Sequence, residues 1–109
     1  MTELTEPHVA ILERVISRGF VIVAFPLYGN AVGVRKQGYA ALLDPLPNGG
    51  FRLLGEPCLL LDGNLTVRVT REGRSWFVWK QERLEATPER IEGVKDFARE
   101  LTSLIEPRV

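Results

Sequence analysis

Hydrophobic positions recur at helical spacing at the two ends of the chain and at strand-like spacing between them. Near the N-terminus, Leu4, Ile11, Leu12, Val15 and Ile16 fall on one side at helical spacing, which predicts an amphipathic helix. Thr5 is placed to cap it, and Glu6 and Pro7 suit its first turn. Arg18 and Gly19 then make a stop signal: a cation for the carbonyl end and a residue free to turn left-handed. A second helix is expected after Thr87, with Thr87 as cap, Pro88 at the first helical position and Glu89 where the helix dipole favours an anion. Ile91, Val94, Phe97, Ala98, Leu101, Leu104 and Ile105 then recur at three- and four-residue steps, and Pro107 is the expected stop. Gly93 costs this helix up to ~1 kcal/mol relative to alanine, so its presence marks a close contact with the sheet.

Everything between reads as short strands, at 19–25, 31–36, 39–44, 51–54, 58–61, 65–70 and 74–80. Turn chemistry separates them: LYGN at 27–30, Gln37-Gly38, PLPNGG at 45–50, DGN at 62–64 and REG at 71–73. These loops are too short for parallel crossovers, so the strands should form an antiparallel meander. The expected fold is α+β in a single domain over 1–109: an N-terminal helix, a meander of five to seven strands, and an amphipathic C-terminal helix. Short strands followed by one long helix resemble the element order of pleckstrin-homology-like barrels. That resemblance implies a bent or barrel-closed sheet as one arrangement, with the leading helix as an addition.

Residues 74–80, RSWFVWK, pose the sharpest question about faces, because alternate side chains of a strand point to opposite sides. A three-residue turn Arg71-Glu72-Gly73, with Gly73 in the left-handed bulge position, would pair Thr70 with Arg74. Leu65, Val67, Val69, Phe77 and Trp79 would then share the core face. Thr66, Arg68, Thr70, Trp76, Val78 and Lys80 would share a half-exposed outer face, with Arg68 opposite Trp76 in a cation–π pair. A loop of different length would exchange the faces.

Composition adds constraints. Fourteen basic residues balance fourteen acidic ones, which argues against a dedicated polyanion binder and leaves little charge repulsion between copies. The single cysteine, Cys58, excludes an internal disulfide and fits a reducing, cytoplasmic setting; its neighbours predict a buried thiol. The acidic N-terminal stretch does not have the form of a signal peptide, and no apolar run reaches the ~20 residues of a spanning helix.

Chemistry-bearing motifs are sparse. His8 and Cys58 are far apart without metal-ligand spacing, so no metal or cofactor is expected, and His8 reads as a surface histidine. Ser17, Ser75 and Ser103 lack a nucleophile-elbow context, and GNAVGV at 29–34 is followed by neither a lysine nor a helix start. The candidate interaction surface is Arg68, Arg74, Trp76, Val78 and Lys80, since tryptophan and arginine are typical interface anchors. Nucleic acid is disfavoured there by the overall charge balance. The expected function is a non-enzymatic binding or interaction module, self-associating as a homodimer through the sheet face or a free edge, or meeting another protein. The alternative is a small-ligand-binding protein or small enzyme with a pocket in the sheet concavity at Tyr28, Tyr39 and Asp44.

Overall fold

In the computed structural model, residues 4–25 and 29–105 are described. Helix α1 (Glu6–Ser17) begins after Thr5 and ends at Arg18 and Gly19, the latter at φ +91°, as its stop signal predicts. Two antiparallel sheets follow. The six-stranded sheet contains β1 (Val21–Val23), β2 (Val32–Lys36), β3 (Tyr39–Pro45), β4 (Phe51–Leu53), β5 (Cys58–Leu61) and β6 (Asn64–Leu65). The three-stranded sheet contains β7 (Val67–Arg71), β8 (Arg74–Trp79) and β9 (Glu82–Glu85). Helix α2 (Pro88–Ile105) closes the described chain, and its expected stop, Pro107, lies outside the described residues.

β3 is the spine of the larger sheet. One edge pairs with β2 along its length; on the other, residues 43–45 pair with β4 and residues 39–40 with β5. Its alternate residues Tyr39, Ala41 and Leu43 pair with Lys36, Val34 and Val32 and face the helices. There Val34, Ala41, Leu43 and Phe51 join Val15 of α1 and Phe97, Leu101, Leu104 and Ile105 of α2 in one buried core. The C-terminal part of the apolar stripe of α2, from Phe97 on, is therefore spent on this core. Two polar contacts fix the layer. Lys36 bridges to Glu100 at 2.8 Å, and Arg14 donates its Nε–H to the Leu104 carbonyl at 3.0 Å. The last turn of α2 has no basic residue, so α1 supplies the cation that its carbonyl end favours.

His8 departs from its expected surface position: it is fully buried. Its Nδ1 accepts the Thr5 backbone N–H at 3.0 Å, so its Nε2–H donates to the Leu46 carbonyl at 2.8 Å, and Phe51 packs edge-on against the ring. One imidazole thus caps α1 and ties it to the 46–50 turn.

The strands do not close into a barrel. Thr66 separates β6 from β7, and its buried hydroxyl donates to the Leu59 carbonyl at 2.6 Å. The chain leaves one sheet and starts another there. The Cα radius of gyration is 14.4 Å, with extents of 45 × 26 × 21 Å, against about 13 Å expected for a globular chain of this length. The three-stranded sheet accounts for the elongation, because it meets the larger sheet mainly where β8 approaches β5.

Its register also departs from expectation. The loop has two residues, Glu72 at φ +52° and Gly73 at φ +76°, so Arg71 pairs with Arg74 and Val69 with Trp76. Both central residues are left-handed, as a type I′ turn requires, and that turn matches the twist of the flanking strands. The cost of a left-handed glutamate, roughly 1–2 kcal/mol, does not outweigh that match. One fewer loop residue exchanges the faces of β7 relative to β8, so Val67, expected in the core, is 67% exposed.

Candidate functional site: the two faces of the three-stranded sheet

Cross-strand partners share a face. The outer face therefore carries Val67 and Val69 from β7 and Trp76 and Val78 from β8, with Arg83 and Glu85 from β9. Arg71 and Arg74 continue it towards the turn. Val69, Trp76, Val78, Arg71, Arg74 and Arg83 line an open concavity of about 870 Å³ that Lys80 and Glu82 also border, while Val67 lies beyond it, at the mouth of the cleft on the other side of the sheet. Of the residues named from the sequence for an interaction surface, Arg74, Trp76, Val78 and Lys80 border this concavity. Arg68 does not: it pairs with Phe77 and belongs to the opposite face. The cation over the Trp76 ring is Arg83, at 4.6 Å from the centroid. Strand β9 leaves little trace in the sequence because "ERLE" is three-quarters charged. The alternation that places Arg83 beside Val78 was its one available signal.

Lys80 occupies a turn at φ +54°, a left-handed conformation that non-glycine residues adopt at a cost. Its Nζ lies 5.3 Å from the Trp79 ring centroid.

The inner face looks towards the larger sheet. Phe77 is buried at 2% exposure and Trp79 is half-buried, as is Leu65 of β6 on the larger sheet. Between this face, the larger sheet and α2 lies a cleft of about 940 Å³. Leu42, Leu54, Pro57 and Cys58 form one wall, Leu65, Phe77 and Trp79 another, and Ile91 and Val94 of α2 a third. Arg68, Lys80 and Lys95 are the cations that line it, and Glu56 is its one carboxylate. Burial pushes the Cys58 thiol pKa up, partly offset by hydrogen bonding with Thr66. The thiol is thus held protonated and acts as apolar wall.

The pocket named from the sequence is not assembled by β3. Tyr39 and Asp44 are separated by about 17 Å of strand and leave opposite faces. Tyr39 packs on Phe97 and against Gly93, where a Cβ would collide with its hydroxyl. Asp44 pairs with Arg52 at 2.9 Å. Tyr28 lies outside the described residues. Among the described residues, no group of three His, Cys, Asp or Glu side chains is placed to hold a metal ion, and no helix is long and apolar enough to cross a membrane. In comparisons with protein-family models, curated proteins and solved structures, none matches the chain.

Proposed function

We propose that the protein is a non-enzymatic interaction module that self-associates through the outer face of its three-stranded sheet. The observation that carries this reading is the row Val67, Val69, Trp76 and Val78, which the register collects on the face turned away from the rest of the molecule. Val67 is its most exposed member, Val69, Trp76 and Val78 are half-buried, and the Arg83 guanidinium lies over the Trp76 ring. Around it, Arg71, Arg74 and Arg83 stand with Glu72, Glu82 and Glu85. A patch carrying both signs is complementary to itself when a second copy is turned about a two-fold axis, as an isologous dimer requires. The balanced net charge does not oppose the approach.

Area sets the strength. Three strands about 4.8 Å apart and about 18 Å long make a patch of roughly 14 × 18 Å. A tight complex buries about 800 Å² per partner, so this dimer is weak and exchanges rapidly with monomer. Light scattering across a concentration series tests it. The expected mass rises from monomer towards dimer as concentration increases, and Trp76→Arg holds the chain monomeric without lowering its melting temperature by more than a few degrees. A mass that stays monomeric at millimolar concentration contradicts the reading.

A further inference from the structure

We propose that the cleft between the two sheets and α2 is a binding site for a long-chain monocarboxylate, with the hydrocarbon along the apolar walls and the carboxylate at the cationic rim. The site lies on the other side of the small sheet from the proposed dimer face and adjoins it at Lys80. Its volume, about 940 Å³, lies within the range of small-molecule sites, about 300–1,000 Å³. Its walls come from three layers that fold for other reasons: β3 and β5 belong to the larger sheet, β8 to the smaller, and α2 to the helical layer. Phe77 and Trp79 offer flat apolar surface there, and Cys58, protonated and buried, adds no charge.

Charge selects the ligand class. The whole chain balances fourteen cations against fourteen anions, yet this cleft is lined by Arg68, Lys80 and Lys95 against Glu56 alone. None of the three cations forms an ion pair among the described residues, in contrast to Lys36, Arg52 and Arg99. An apolar ligand without charge would leave this excess unanswered. A polyanion would answer it but could not wet the walls. A single carboxylate on a hydrocarbon chain satisfies both. Lys80 adds a structural hint: its left-handed backbone places a lysine, rather than the easier glycine, where the cleft meets the outer face.

The test is calorimetric titration of the unmodified protein with dodecanoate below its micellar concentration, alongside decanoate and dodecanol. Saturable binding of one dodecanoate is expected. Two fewer methylenes should weaken it by roughly fifteenfold, since each buried methylene contributes about a fourfold factor. Dodecanol should bind at least tenfold more weakly than dodecanoate. In a Trp76→Phe chain, Trp79 is the remaining indole, and its emission should shift to shorter wavelength on binding. Arg68→Glu with Lys95→Glu, both on exposed side chains, should lower dodecanoate affinity at least tenfold while leaving dodecanol unchanged. No saturable heat with the folded parent overturns the proposal, as does equal affinity for the acid and the alcohol. Molecular mass is read separately, so failure of the dimer and failure of this site are distinguishable.

Discussion

Gly93 occupies a helix interior, where glycine ordinarily weakens the element, because the Tyr39 hydroxyl is pressed against the helix backbone there. Replacing an exposed helical glycine with alanine gains up to ~1 kcal/mol; here the sign should reverse. Gly93→Ala is expected to destabilise the fold by about 1–3 kcal/mol, the usual cost of overpacking. Most of that loss should disappear in a Tyr39→Ala background, which a double-mutant cycle of urea melts reads directly. Cys58 makes a second residue-scale prediction. Its folded pKa is raised by burial, so the unfolded thiol loses its proton first as pH rises. Its contribution is full below the unfolded value, about 8.5, and is lost as pH climbs through the folded value. Urea melts from pH 7.5 to 10 should show the parent losing stability relative to Cys58→Ala over that window. Glycine at 93 already signalled a tight contact in the sequence, and PCLLLD signalled a buried thiol. His8 gave no such signal, because its partners are a backbone N–H and a carbonyl 38 residues away, and backbone groups are invisible to residue pattern.

Helix α2 is the element on which the fold depends most, since four of its side chains are buried in the main core. Burying its apolar side contributes on the order of 10 kcal/mol before entropy. A chain ending at Ala86 should therefore show no cooperative melt by circular dichroism, and a sharp one would reduce α2 to a peripheral helix. Both helices and most strands were legible from periodicity and turn residues, with caps at Thr5 and Thr87 to bound them. The pairing of β7 with β8 was not. Arg71-Glu72-Gly73 suits a two-residue or a three-residue loop, and the choice turns on whether Glu72 accepts a left-handed backbone. That one residue decides which side of β7 meets water. Thermal melts test the outcome: Val67→Thr should change stability by less than about 0.5 kcal/mol, as exposed substitutions do. Phe77→Ala should cost about 3–5 kcal/mol. A large loss at Val67 would restore the three-residue register.

At the scale of the molecule, the fold is a helical layer on a six-stranded sheet from which a second, smaller sheet projects, connected to α2 by Ala86 and Thr87 alone. Projection leaves both faces of that sheet available, and the two differ in character: mixed charge around an apolar row outside, cations around an apolar cleft inside. Balanced charge keeps long-range attraction small, and fluorescence anisotropy should detect no micromolar, salt-sensitive affinity for single strands at physiological salt. Whether copies meet through the outer face is read by an amide and indole NMR dilution series from millimolar to low micromolar. A dimer through this face gives concentration-dependent shifts concentrated at Val67, Val69, Val78 and the Trp76 indole, with the α1 and α2 signals still. Shifts that are absent, or that gather instead at the β1 edge around Val21 and Ile22, would contradict it.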